Sequence, residues 1–300
     1  MRLGFCLPTF GAAANEPGGI AEFAVEAEKL GATSLWVGDR LLVPVDPSVG
    51  YSPGSNSIPD EFRAAADPMT ALAVAAAVTS VPRLGSSGII APWHSPALLA
   101  RALASVDVAS GGRLIAGFGS GWSPEEFQAV GVPFTERGAR LDELLDVLET
   151  WWTEAPVEHA GRFFTVPKSH VDLKPVQRPR PPIYLGAFGG SALRRVGERA
   201  DGWMPVWWAP EAFPLRQLVD GWDTVRRAAL NVGRDPDRIG MILRINVAAG
   251  TSMEVVAEEL RKASAAVAAD EIFVDFTFAA DSVAQTLDLT GRLLALVATD

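Results

Sequence analysis

Short β-like runs alternate with longer amphipathic stretches from one end of this chain to the other, and that alternation limits its fold more than any other feature. Strand-like segments are read at 3–8, 34–39, 84–90, 114–119, 183–187, 202–206, 241–247 and 271–276. Helical spacing of apolar residues follows at 19–30, 68–79, 96–109, 124–130 with 136–152, 191–199, 211–231, 253–268 and 282–298. Local signals agree: Asp67 stands as an N-cap before Pro68, Ser95 before Pro96, and Gly31 sits where a helix C-terminus wants glycine. Each helix supplies the crossover that two parallel strands need. Eight such units in 300 residues predict a closed (βα)8 TIM barrel. No Gly-x-Gly-x-x-Gly follows the first strand, which counts against an open dinucleotide-binding sheet. One domain over 1–300 is expected, with two insertions. The Pro/Gly/Ser-rich loop 41–66 is longer than an ordinary βα connection and reads as a lid over a substrate. Residues 154–182, with six prolines and short β-like pieces, read as a surface hairpin.

Composition removes several classes of function. The single cysteine, Cys6, rules out an internal disulfide framework and a cysteine-based zinc site, and reads as a buried strand residue. His94, His159 and His170 never fall at i, i+4 spacing, so a helical two-histidine metal site is absent. A net charge of −10 opposes a nucleic-acid groove, although main-chain N–H groups could still bind one phosphate. Neither a signal-peptide core nor an apolar run of membrane-spanning length is visible, so the chain is expected to be cytoplasmic.

A barrel carries its chemistry at the carboxyl ends of its strands, so those positions hold the candidates. Asp39, in Gly38-Asp39-Arg40, could present a carboxylate to the mouth as a general acid or base; it could equally cap a loop or pair with Arg40. Ser86-Ser87-Gly88 suggests a strained or bulged third strand. Gly117-Phe118-Gly119-Ser120-Gly121-Trp122 would let a flat ligand approach the backbone beside an aromatic wall. Gly186-Ala187-Phe188-Gly189-Gly190-Ser191 runs into a helix, whose N-terminal N–H groups suit a phosphate. His94 could face the mouth, while Arg137 and Arg140 read as surface partners of nearby acids. Trp203, Trp207 and Trp208 could line an apolar cavity or fill the barrel end.

Together these pieces resemble the luciferase-like monooxygenase superfamily, in its branch that uses the deazaflavin coenzyme F-420. The matching motifs include Ser34-Leu35-Trp36-Val37-Gly38-Asp39, Ser110-Gly111-Gly112-Arg113-Leu114, Gly117-x-Gly-x-Gly-Trp122, Gly131-Val132-Pro133-Phe134, Gly161-Arg162-Phe163-Phe164 and Ala200-Asp201-Gly202-Trp203. They run in family order over about residues 1–210, whereas the last third matches only as barrel. The resemblance implies a cofactor ring in the mouth, backed by a non-proline cis peptide at Ser87–Gly88 and flanked by Gly119 to Trp122. It implies a phosphate held by the N–H groups of Gly186, Ala187 and Phe188, with Gly189 and Gly190 completing the turn, and Asp39 beside the reacting carbon. It further implies a small-molecule substrate, a reductase that supplies reduced cofactor, and a homodimer. Arg40 stands where relatives often carry His, and Trp122 where the sugar-phosphate dehydrogenases carry an acid, which argues against oxidation of a sugar hemiacetal. Arg40, Arg194 and Arg195 are candidates to meet the coenzyme's polyanionic tail. The leading expectation is hydride transfer with coenzyme F-420; the alternatives are a monooxygenase using reduced FMN, and a cofactor-binding barrel without turnover.

Overall fold

The computed structural model describes residues 2–51, 56–212 and 214–298, so positions 52–55 of the long loop lie outside the described residues. The strands are β1 (Leu3–Cys6), β2 (Ser34–Val37), β3 (Arg83–Ser86), β4 (Ile89–Ile90), β5 (Leu114–Gly119), β6 (Val157–Ala160) and β7 (Thr165–Ser169). They continue with β8 (Ile183–Leu185), β9 (Gly202–Trp203), β10 (Val206–Ala209), β11 (Gly240–Val247) and β12 (Glu271–Asp275). The helices are α1 (Gly19–Leu30), α2 (Pro68–Val78), α3 (Pro96–Ala109), α4 (Pro124–Ala129) and α5 (Arg137–Thr153). After them come α6 (Gly190–Arg199), α7 (Leu215–Asn231), α8 (Met253–Val267) and α9 (Val283–Ala298).

All barrel pairings are parallel. The order runs β10-β11-β12-β1-β2-β3-β5-β8-β9, and pairing of β9 with β11 closes the ring. The result is an eight-stranded barrel ringed by helices. Two predicted strands are each split in two. The third breaks at Ser87-Gly88 between β3 and β4, where Gly88 takes φ +95. The sixth breaks at Met204-Pro205, because Pro205 has no N–H to give the ladder. Helix α7 starts at Leu215 rather than 211, since Pro214, its N-cap, disfavours helical backbone on its N-terminal side.

Caps form as the sequence suggests at Asp67, whose carboxylate accepts the Thr70 N–H at 2.7 Å, and at Gly31, in the left-handed region. Ser95 precedes α3 without a side-chain cap bond. Inside the barrel, Trp36 stacks on Phe273 with ring centroids 4.3 Å apart. A Cβ on Gly85 would stand 2.3 Å from that indole, so a glycine there makes room for it. Beneath this layer, buried Glu271 joins Ser34 and Arg83 at the amino ends of the strands, the stabilising end of such a barrel. The predicted insertion is an antiparallel hairpin of β6 and β7. Its Val157 and Val166 pack on Val147 of α5. Glu143 of α5 accepts the N–H groups of Phe163 and Phe164 at its turn.

Candidate active site

Strand β11 sends alternate side chains to opposite sides. Leu243, Ile245 and Val247 face the helices, while Ile242 joins the barrel interior and Arg244 and Asn246 continue that inner row toward the mouth. Arg244 donates from Nε to Asn246 Oδ1 at 2.8 Å and from Nη1 to Ser87 Oγ at 3.2 Å. Its Nη2 pairs with Asp275 at the end of β12. Burial works to lower the Arg244 pKa, but Asp275, Cys6 and Tyr51 together outweigh it and hold the group above its ordinary range. Burial, aided by Asp275, pushes the Cys6 thiol well up, so the lone cysteine is a buried thiol of β1 as expected.

Over this polar floor lies a half-buried cluster of rings centred on Tyr51. Its centroid is 5.1 Å from Phe62, 5.9 Å from Trp122, 6.0 Å from Phe278 and 6.5 Å from Trp208. The long loop after β2 therefore reaches side chains that follow β5 and β12 and one on β10. Helix α4 anchors that loop. Glu126 accepts the N–H groups of Leu41 (2.8 Å) and Leu42 (3.4 Å), and Glu125 accepts that of Ser48 (2.8 Å). Arg40 lies 3.2 Å from Glu126 and 4.2 Å over the Trp122 ring. Burial works against both charges, raising the Glu126 carboxyl and lowering the Arg40 guanidinium from their ordinary values. Arg40 is thus committed inside the protein and is not a surface cation for an anionic tail, a correction to its reading from sequence.

Asp39 sits where the strand-end argument puts it. Its Oδ2 accepts the Ile90 N–H at 2.8 Å and lies 3.8 Å from His94 Nε2. That nitrogen also accepts from Trp93 Nε1 at 3.0 Å, which assigns the ring proton to Nδ1. So His94 does lie beside the mouth. The Ser87–Gly88 peptide is not cis: among the described residues, cis bonds occur at Ala155–Pro156, Arg178–Pro179 and Ala209–Pro210. Gly88 instead bends the chain with a positive φ, which costs glycine little, whereas a cis bond without proline costs about 3 kcal/mol. Gly88 and Gly119 face each other, and a Cβ on either would meet only the other's backbone, at 3.7–3.9 Å. Ser120 and Trp122 are half-buried beside them. Gly121 has a different duty: at φ +73, its Cβ would stand 2.6 Å from Phe127 and 2.7 Å from Ile90, so it serves packing rather than a ligand.

The residues expected to meet a phosphate differ in whether their N–H groups are free to do so. The Gly186 N–H is spent on Phe118 O at 2.8 Å, still within the ladder between β5 and β8. Ala187 and Phe188 lie past that ladder, and Gly189 caps α6. The N–H groups of Gly190, Ser191 and Ala192 precede the first helical bond, from Leu193 to Gly189 O at 2.9 Å, and so point out of the helix. Exposed Arg194 folds back to within 3.6 Å of where a Gly190 Cβ would stand. Arg195 is taken by Asp142 at 2.6 Å. Arg140 pairs with Glu136 as expected (2.9 Å), but Arg137 rests on the Phe134 ring and carbonyl instead of an acid. Of the three tryptophans, only Trp208 faces the mouth. Trp203 donates to Ala187 O and Trp207 to Glu259.

Arg244, Asn246, Asp275, Glu126 and Tyr51 escaped the sequence reading. Arg244 and Asn246 did leave a signal, as two polar residues at alternate positions near the end of an apolar strand. Among the described residues, no cluster of three or more His, Cys, Asp or Glu could hold a metal ion, and no helix is long and apolar enough to cross a membrane.

Comparison with known proteins places these features in context. The family described as luciferase-like monooxygenase matches residues 1–295. An uncharacterized protein of Mycobacterium tuberculosis is 30% identical over 234 residues, 74% of this chain and 82% of that one. The monooxygenase RslO1 from Streptomyces bottropensis superposes with a TM-score of 0.82 at 21% identity, over 100% of this chain and 99% of that one. An F420-dependent secondary alcohol dehydrogenase, in complex with an F420–acetone adduct, superposes with a TM-score of 0.79 at 17% identity, over 99% and 98% of the two chains.

Proposed function

Because the chain belongs to the luciferase-like monooxygenase family, a family of oxidoreductases, we propose that it moves a hydride between the deazaflavin coenzyme F-420 and a small organic substrate. One observation carries this reading. Gly88, between β3 and β4, and Gly119, at the end of β5, offer a Cβ-free shelf, and the strand next to β5, β8, leads to the outward N–H groups of α6. A flat ring with a phosphate-bearing tail suits that pair of surfaces. Gly88 and Gly119 would admit the ring face, with Ser120 and Trp122 at its edge. The main chain from Ala187 to Ala192, with Arg194, would hold the phosphate through the helix N-terminus and one cation. When bound, the coenzyme supplies the carbon that takes or gives hydride.

The chain's own contribution is orientation and proton handling. Asp39, fixed through Oδ2 by the Ile90 N–H, is the leading group to exchange a proton with the reacting pair. The loop after β2 would act as a lid, anchored where Glu125 and Glu126 hold Leu41, Leu42 and Ser48, and it brings Tyr51 and Phe62 to the ring cluster. Holding ring and substrate in contact is worth several kcal/mol of barrier, on the order of the effect of near-attack positioning. Reduced coenzyme would come from a separate reductase.

Titration of purified apo-protein with coenzyme F-420 and with FMN, followed by fluorescence, tests the reading. Tighter binding of F-420 is expected. A preference for FMN converts the reading to a monooxygenase fed with reduced FMN, and binding of neither ends it. Asp39→Asn should keep coenzyme affinity and lose turnover; turnover near that of the parent would remove Asp39 from the chemistry.

A further inference from the structure

We propose that Tyr51 is a catalytic acid, holding the oxygen of a compact alicyclic or aromatic ketone and giving it a proton as hydride reaches the carbonyl carbon. The assignment rests on the oxidoreductase reading above and specifies the substrate end of the same mouth.

Asn246 sets the direction of the hydrogen bond at Tyr51. Its Oδ1 receives the Nε–H of Arg244 at 2.8 Å, which fixes which way round the amide lies. The Nδ2 group then faces Tyr51 and donates to the phenol oxygen at 3.4 Å. Tyr51 Oη is therefore an acceptor toward Asn246, and among the described residues nothing takes its own O–H, which is left to donate. Around that ring stand Phe62, Trp122, Phe278 and Trp208, none of which offers an oxygen acceptor in its side chain. A ligand entering beside these rings would meet apolar walls and one hydroxyl donor. A ketone carried on an apolar or aromatic body matches both features.

The surroundings also suit proton release. Arg244, held by Asp275, Asn246 and Ser87, lies under the phenol and favours the phenolate left after transfer. Arg40 acts in the same direction and Asp275 against it. Burial keeps Tyr51 above its ordinary pKa, so at neutral pH it carries the proton it would donate. Asp39 is tied to Ile90 instead, beside His94.

The step balances in both partners. Hydride from the reduced deazaflavin forms the new C–H bond, the carbonyl π pair moves to oxygen, and that oxygen takes the Tyr51 proton to give an alcohol. The coenzyme is oxidised and releases one ring proton, for which Asp39 is the acceptor, while the phenolate regains its proton from solvent. Alcohol oxidation runs the same path backwards.

Two measurements test Tyr51, and the first needs no coenzyme. Infrared spectra of cyclohexanone labelled with carbon-13 at its carbonyl, at saturating concentration, should show a red-shifted band in the parent protein that Tyr51→Phe removes. Phenylalanine keeps the ring among its neighbours, so the fold is retained. In the second, with reduced coenzyme F-420 as donor, Tyr51→Phe should lower kcat for cyclohexanone about a hundredfold or more. KM should stay within about threefold, because the ring contacts persist. An unshifted band in the parent, a shifted band surviving in Tyr51→Phe, or an unchanged kcat overturns the proposal. A shifted, Tyr51-dependent band in a protein that binds neither coenzyme upholds the carbonyl site and sinks the oxidoreductase reading alone.

Discussion

Glu126→Gln is the substitution that most directly tests how α4 holds the long loop. The parent carboxylate is fully buried beside a guanidinium whose side chain is 4% exposed. Glutamine keeps an oxygen for the Leu41 and Leu42 N–H groups, so the change isolates the charge. Arg40 would then stand in the interior with the Leu42 carbonyl and the faces of Trp122 and Phe62. Those contacts exist already in the parent and add nothing new to offset the loss. Removing one partner of a buried pair costs about 3–5 kcal/mol. With a urea m-value of about 3 kcal/mol/M, the unfolding midpoint should fall by about 1 M or more. Tryptophan fluorescence and circular dichroism should report the same transition. The double variant Arg40→Met with Glu126→Gln should recover most of the loss, because no buried charge is then left unpaired and an oxygen for the Leu41 and Leu42 N–H groups is kept. A midpoint within about 0.2 M of the parent, less than 1 kcal/mol at that m-value, would refute the reasoning. So would a double variant as weak as the single one.

Two further outcomes concern the same end of the barrel. Gly121→Ala combines a positive φ with the contacts on Phe127 and Ile90, and should cost about 2 kcal/mol or more, read as a lower melting temperature; an unchanged melting temperature contradicts the packing role. Burial pushes the Glu125 carboxyl up, but hydrogen bonds from Ser48 and Ser123 outweigh it and bring it down to about 2. A folded pKa below the unfolded value of about 4.3 stabilises fully above that pH, and the contribution drains as pH falls toward 2. Glu125→Gln should therefore be weaker than the parent at pH 7 by a few tenths of a kcal/mol, because solvent screens a partly exposed group. The gap should close below pH 4 in urea midpoints taken across the range, and a gap that widens on acidification would contradict the sign.

The parts of this molecule that periodicity controls were legible. Gly19–Leu30 and Leu114–Gly119 keep their bounds, because one helix face or one buried strand writes itself into consecutive residues. Breaks inside strands were less so. Ser87-Gly88 reads as a bulge and Pro205 as a minor irregularity within an apolar run, and only the ladder shows that pairing stops at both. Asp39 was legible as a carboxylate at a strand end, yet its partner Ile90 was not, since which backbone N–H it meets depends on how β4 restarts.

The floor of the mouth shows what a closed barrel adds to such a reading. Ser87 and Arg244 are 157 residues apart and meet, and no local pattern links them. Closure does link them, because inward side chains at the carboxyl ends of eight strands have one shared space to enter. An inward polar residue near a strand end is thus a site candidate even when its neighbours in sequence are apolar. That rule would have selected Arg244, Asn246 and Asp275 without coordinates. It would not have selected Tyr51, 195 residues from Asn246, because a loop residue enters the shared space through the path of its loop rather than the register of a strand. Strand ends therefore set the charged floor, and above it Tyr51 and Phe62 of the inserted loop meet Trp122, Trp208 and Phe278 from three other parts of the barrel.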